Sequence, residues 1–192
     1  YSRDFGFGTK TGIRFPGEVQ GVLRQTKDWS EMSLAEVSIG YEVAVTALQL
    51  ASAYSAIANG GILLKPRLVK QILSPNGKVV YKESPEVIRR VASKEIMSTI
   101  TDILVQVVKS GTGTKAEIQG WSVAGKTGTA HKFIDGVYSK NKYISNFAGF
   151  FPADNPQVVC VIVLDEPRYG LHWGGYGAAP VFRRVVQRII NM

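Results

Sequence analysis

The chain has 192 residues, 45% of them hydrophobic, which is enough for one ordinary core, and no apolar run of the roughly 18 residues that would suggest a membrane span. Its single cysteine, Cys160, excludes an internal disulfide and, with only His131 and His172 beside it, a zinc site of four Cys/His ligands, so no metal and no cofactor is expected. The net charge of +8 is scattered, with no long basic run and no nucleic-acid motif, which reads as a solvated surface able to meet anionic lipid or wall polymer, with no nucleic acid as partner.

The opening stretch, YSRDFGFGTKTGIRFPGEVQG, is rich in glycine and poor in periodic apolar positions, so loop and turn are expected there. It starts at Tyr1 with no initiator Met and no signal sequence, the pattern of a fragment. A buried helix is predicted from Thr46 as N-cap, with Leu50, Tyr54, Ile57 and Ala58 apolar and Gly60 past its end. ILLKPRLVKQILSPNGKVVYKE then reads as extended segments around an Asn76-Gly77 hairpin. A second helix runs from Ser93 as N-cap to Ser110-Gly111, and its stripe of Ile96, Ile100, Ile103, Leu104, Val107 and Val108 is expected to face a core.

After the glycine-rich SGTGTKAEIQG come three strand candidates, WSVAGKTGTAHKF, YISNFAGFF and QVVCVIVLDEP, the first two joined at Asp135-Gly136 and the third reached by a turn at Asn155-Pro156. The apolar run Val158 to Leu164 predicts a strand covered on both faces. A last helix near Pro180 is expected to bury Phe182, Val185, Val186, Ile189 and Ile190. Helices before and after consecutive antiparallel strands describe an α+β fold, an antiparallel sheet packed with helices, in one domain.

The stretch GWSVAGKTGTA fits two motifs. Gly120, Gly125, Lys126 and Thr127 satisfy the G-x-x-x-x-G-K-[ST] phosphate loop, and Asp165-Glu166 after an apolar strand resembles the acid that holds magnesium in such enzymes. A phosphate loop needs a strand before it and a helix starting at Lys-Thr. Here a polar segment precedes Gly120, and Gly128 and a second turn follow, so nucleotide binding stands as a remote alternative. The second motif is K-T-G, Lys126-Thr127-Gly128, which penicillin-recognising serine enzymes carry. A second copy at Lys10-Thr11-Gly12 looks like a turn, and only Lys126 to Gly128 can line a site as a strand. There Lys126 supplies positive charge beside a nucleophile. The Thr127 and Thr129 hydroxyls can bind a carboxylate, and Gly128 lets an extended peptide lie close. The Thr129 N–H can point at a developing oxyanion.

Five blocks, FGFGTKTGIRFPGE, SIGYEVAVTALQLASAYSAIANGG, VAGKTGTA, NFAGFFPADNP and GGYGAAPVF, resemble in the same order the transpeptidase domain of class B penicillin-binding proteins. The resemblance runs from Phe5 to the end. It implies part of the penicillin-binding protein transpeptidase and serine β-lactamase-like fold, and the function of a peptidoglycan D,D-transpeptidase that cross-links stem peptides through a serine acyl-enzyme and is inhibited by penicillin and other β-lactams. It further implies Lys126 and the Thr129 N–H as catalytic groups, and Thr127, Gly128, Thr129, Gly174 and Gly175 as substrate-binding. Trp173 and Tyr176 either shape the cleft or pack in its loop; His131 and His172 receive no role.

The family's other motifs, S-x-x-K and S-x-N, are matched only by Ser139-Lys140-Asn141-Lys142, expected in a polar loop after K-T-G, and Ser74-Pro75-Asn76, expected at a hairpin tip. Both are rejected on context. Residues 1–192 are therefore expected to be the C-terminal portion of one transpeptidase domain, inactive without an upstream segment carrying S-x-x-K and S-x-N. The resemblance also implies a glycosyltransferase partner and a place on the extracytoplasmic face of the membrane, in the periplasm, with an N-terminal anchoring helix outside this chain. A D,D-carboxypeptidase, a β-lactam sensor, a β-lactamase or a non-catalytic module of the same fold are the alternatives.

Overall fold

The computed structural model describes residues 1–192, in chain order β1 (Val22–Leu23), α1 (Ser33–Ser38), β2 (Val43–Ala44), α2 (Ala47–Ala58), β3 (Ile62–Leu64), β4 (Gln71–Leu73), β5 (Val79–Lys82), β6 (Val87–Arg90), α3 (Lys94–Ser110), β7 (Ala124–Ile134), β8 (Val137–Phe151), β9 (Val158–Asp165) and α4 (Ala178–Ile190). Strands β7, β8 and β9 form one antiparallel sheet in that order, and β1–β2, β3–β6 and β4–β5 are small antiparallel pairs. The α+β architecture read from the pattern is the one present. No helix is long and apolar enough to cross a membrane.

The two faces of the sheet carry different cores, as the two-residue strand period dictates. Phe147 and Phe151 of β8 point to the face of α4, where they pack with Ala178, Ala179, Phe182 and Val186, and with Val158, Cys160, Ile162 and Leu164 of β9. Phe147 and Phe182 stand 4.7 Å apart between ring centroids. Ala124, Phe150 and Val159 point the other way, against Leu104 and Ile100 of α3 and Tyr54, Ile57 and Ala58 of α2. Phe147, Phe150 and Phe182 are fully buried, and each side chain of that size contributes about 1.5–3 kcal/mol by leaving water.

Thr46 caps α2 through a reciprocal capping box: its Oγ1 accepts from the Gln49 N–H at 3.1 Å and its own N–H donates to Gln49 Oε1 at 2.9 Å. Gln49, 1% exposed, also donates from Nε2 to the carbonyls of Thr9 at 2.7 Å, Gln20 at 2.9 Å and Gly6 at 3.4 Å. One polar side chain therefore pins the turn-rich opening segment onto α2. The fully buried line of α2 is Gln49, Ala53 and Ala56, while Tyr54, Ile57 and Ala58 are half-buried.

Ser93 caps α3 as expected, but the stripe is turned from its expected setting. Met97, Leu104 and Val108 are buried, whereas Ile96 and Ile103 are 53% and 58% exposed. Val163 is likewise 45% exposed, so β9 is not covered on both faces at that point. Helix α4 starts two residues before Pro180, buries Phe182 and Val186 completely, and leaves Ile189 37% exposed. Both hairpins are where their Asn-Gly and Asp-Gly pairs predicted, with Gly77 at φ 80, Asp135 at φ 50 and Gly136 at φ 84.

Candidate active site on the K-T-G edge strand

The Asp135-Gly136 turn sets the register of β7 on β8, placing Lys126 opposite Ala148, Thr127 opposite Phe147, Gly128 opposite Asn146 and Thr129 opposite Ser145. Because β7 is the outer strand, its other side is unpaired. Alternation puts Thr127 and Thr129 on the α4 face, and Lys126 and Gly128 on the opposite one. The stretch is strand on both sides of Thr127, with no helix starting there, so it does not form a phosphate loop. Asp165 and Glu166 hold lysines: Lys132 Nζ lies 2.8 Å from a carboxylate oxygen of each, and Lys142 Nζ lies 3.2 Å from Glu166. Hydrogen bonds from Lys132 and then Lys142 hold the Glu166 carboxyl below its ordinary range.

The Lys126 ammonium donates to the Thr127 carbonyl at 2.9 Å and has no carboxylate partner. That carbonyl lies on the unpaired side of β7, and the two-residue period turns the Thr129 N–H to the same side. On the α4 face, Thr127 Oγ1 is 2.8 Å from Thr112 Oγ1, and Thr129 Oγ1 accepts from the Gly174 N–H at 2.9 Å. The loop before α4 lies directly on the strand. A Cβ at Gly174 would sit 2.5 Å from the Gly128 and Asn146 carbonyl oxygens, and one at Gly175 would sit 2.6 Å from the Thr112 carbonyl oxygen and 3.8 Å from Thr127 Cγ2.

All six predicted site residues, Lys126, Thr127, Gly128, Thr129, Gly174 and Gly175, thus meet at one edge of the sheet. Gly128 also has a close neighbour within the sheet. A Cβ there would meet the Asn146 side-chain amide at 2.6 Å, so a side chain at 128 would have to displace that amide. Thr112 was not foreseen. It lies in the glycine-rich turn after α3, where no periodicity marks a position, and only the fold carries it to Thr127.

His131 Nδ1 pairs with the Ser139 carbonyl at 2.7 Å, which can only accept, and His172, 7% exposed, accepts at Nδ1 from the Gly170 N–H at 3.2 Å. Each has a backbone partner at Nδ1, and each ring centroid lies 4.6 Å from that of Tyr143. Trp173 and Tyr176 are exposed, and Lys115 Nζ lies 4.0 Å above the Tyr176 ring. Ser139 to Lys142 lie within β8 rather than in a loop, in a bulge of its pairing with β7, where Ser139 Oγ accepts from the Lys142 N–H at 3.2 Å and the Lys142 ammonium is drawn to Glu166. Ser74 stands at the tip of β4–β5, bonded to Lys78. Neither serine hydroxyl is hydrogen-bonded to a lysine amine.

The first K-T-G is filled from within. Glu18 accepts from the Thr11 N–H at 2.6 Å, the Thr11 hydroxyl at 2.5 Å and the Gly12 N–H at 3.3 Å. The Thr11 hydroxyl first, and the two backbone N–H groups after it, hold the Glu18 carboxyl below its ordinary range.

A family model described as the penicillin-binding protein transpeptidase domain matches residues 1–187. The chain belongs to that family. It is 37% identical over 192 residues to the probable peptidoglycan D,D-transpeptidase PenA of Neisseria meningitidis, which covers 100% of this chain and 31% of that protein. It is 40% identical over 188 residues to the stage V sporulation protein D of Bacillus subtilis, covering 97% of this chain and 29% of that one. The apo crystal structure of penicillin-binding protein 3 from Mycobacterium tuberculosis superposes with a TM-score of 0.88 at 35% identity, covering 99% of this chain and 45% of that one. The same protein is known complexed with aztreonam and with ampicillin. The penicillin-binding transpeptidase fold is therefore present in part, and the chain spans about a third of the length of the curated relatives it matches.

Proposed function

We propose that residues 1–192 are the C-terminal portion of one transpeptidase domain, and that the complete protein is a peptidoglycan D,D-transpeptidase working outside the cytoplasmic membrane. The observation that carries this reading is the unpaired edge of β7, where a lysine with no carboxylate partner adjoins two threonine hydroxyls on one face. An extended stem peptide adds to that edge as a further strand, and its terminal D-alanine carboxylate takes the two hydroxyls as donors. The Thr129 N–H meets the carbonyl oxygen as negative charge develops on it, a contact worth about 3–4 kcal/mol of barrier. In acylation the serine oxygen bonds to the carbonyl carbon, the C–N bond to the last D-alanine breaks, and the serine proton passes to the departing amine. The nitrogen of an acceptor amine on a neighbouring peptide then bonds to that carbon, the serine C–O bond breaks, and a proton from the amine returns to the serine oxygen. Lys126 supplies positive charge beside that serine, which a segment carrying S-x-x-K contributes, since Ser139 is paired elsewhere.

Fluorescent penicillin added to the complete transpeptidase domain tests this. The domain is expected to be labelled stoichiometrically, Lys126→Ala to slow labelling by about 10²–10³-fold as loss of an electrostatic stabiliser does, and Ser139→Ala to leave it unchanged. A complete domain that takes no label, or loss of labelling in Ser139→Ala, refutes the reading.

A further inference from the structure

We infer that Thr112 is a positioning residue that sets the direction of the Thr127 hydroxyl, so that Thr127 and Thr129 both present protons to an anionic ligand group. The inference rests on the carboxylate-binding role proposed above for those two threonines.

A threonine hydroxyl has one proton and two lone pairs, so the donor behind it decides what it offers in front. At Thr129 the direction is settled by chemistry. The Gly174 N–H can only donate, it fills a lone pair of Thr129 Oγ1 at 2.9 Å, and the Thr129 proton remains for another partner. At Thr127 the neighbour is another hydroxyl, Thr112 Oγ1 at 2.8 Å, and either oxygen can be the donor. If Thr127 donated to Thr112, it would show lone pairs to a ligand and repel a carboxylate. If Thr112 donates, the two threonines act alike.

An anionic ligand, drawn by the local cations, selects the second state because it takes a proton from each hydroxyl. Lys126 on the strand and Lys115 above Tyr176 are the cations at this corner, and no Asp or Glu side chain hydrogen-bonds to any of these groups. Two residues along a strand span about 6.8 Å, which one carboxylate bridges with an oxygen to each hydroxyl at about 2.7 Å. The result is a pair of relayed donors, Thr112 to Thr127 and Gly174 to Thr129, each hydroxyl polarised by the donor behind it.

Thr112 is held for this task. The N–H groups on either side of it, Gly111 and Gly113, both donate to the Val107 carbonyl, at 3.1 and 3.0 Å, at the end of α3. A Cβ at Gly113 would lie 3.3 Å from the Phe147 ring and 3.2 Å from that same carbonyl oxygen, so the glycines let the turn approach the sheet closely. The Thr112 carbonyl faces Gly175 from the other side.

The test uses the complete transpeptidase domain and compares its acylation rates by benzylpenicillin and by the methyl ester of benzylpenicillin, which lacks the anionic group. Thr112→Val keeps the shape and removes the donor. It is expected to slow acylation by the acid about 2- to 12-fold, the worth of one hydrogen bond, to leave the ester rate within about 2-fold, and so to narrow the acid-to-ester ratio. Thr112→Ser is expected to restore the ratio. In a Thr127→Val background Thr112→Val is expected to have no further effect on it, as a coupled pair requires. An unchanged ratio in Thr112→Val, whether both rates hold or both fall together, overturns the inference while leaving the transpeptidase reading intact. A wild-type domain that neither compound acylates overturns both.

Discussion

Gly174→Ala is the sharpest probe of how the loop before α4 supports the K-T-G strand. Gly174 has no positive φ, so alanine is allowed by the backbone and the penalty is one of space alone. The added Cβ would lie 2.5 Å from two carbonyl oxygens, those of Gly128 and Asn146, and neither belongs to a side chain that can swing away. Relief needs the loop to retreat by about 1 Å, which takes the 2.9 Å bond from the Gly174 N–H to Thr129 Oγ1 beyond hydrogen-bonding reach. Overpacking of this kind costs about 1–3 kcal/mol and the lost hydrogen bond about 0.5–1.5 kcal/mol. The melting temperature should fall by about 2–4 °C for each kcal/mol. Acylation by a fluorescent penicillin, followed by stopped flow on the complete domain well below its melting temperature, should slow about 2- to 12-fold because Thr129 loses its aligning donor. A variant that melts like the wild type and acylates at the same rate would refute the claim that this loop holds the strand.

Gln49→Leu provides the contrast, a destabilised protein with an undisturbed site. It leaves the carbonyls of Thr9 and Gln20 and the Thr46 N–H without their partner, for an expected loss of about 2–4 kcal/mol in a denaturant titration, with the acylation rate unchanged. Glu166→Gln tests the Lys132–Glu166–Lys142 cluster through pH. A carboxyl held below its ordinary value of 4.5 adds stability above that pH and loses it as pH falls through the lowered value. The melting difference between wild type and Glu166→Gln should therefore be largest near neutral pH, close below about pH 4.5, and shrink in high salt. A difference independent of pH between 3 and 7 (roughly the range that carboxylates titrate in) would mean the ion pairs are not its source.

Much of this architecture is legible in short-range chemistry. Asn76-Gly77 and Asp135-Gly136 demand left-handed backbone, Thr46 and Ser93 offer cap oxygens, and the apolar spacing of α3 and α4 marks amphipathic helices. Lys126 to Thr129 are legible too, because alternation alone separates the hydroxyls from the lysine. What escapes is anything decided by a partner far along the chain. Periodicity gives α3 an apolar stripe without saying which edge of it turns inward, so Ile96 and Ile103 read like Leu104 but stay exposed. Gln49 reads as an ordinary polar helix residue, since its burial depends on carbonyls 29 to 43 residues away. Thr112 sits among glycines that signal only a turn, and its role arises when β7 passes 2.8 Å from it.

The chain carries two K-T-G triplets, and only one of them reaches the edge strand. At Lys10 to Gly12 the Glu18 carboxylate, six or seven residues along, is already bonded to Thr11 and Gly12. A tether that short holds it at an effective concentration on the order of millimolar or more. A dissolved carboxylate, whether a stem-peptide terminus or an antibiotic, would have to displace that resident acid before it could bind there. The first triplet is thus closed from within, and the carboxylate role proposed for a K-T-G in this chain falls to the triplet at Lys126 alone.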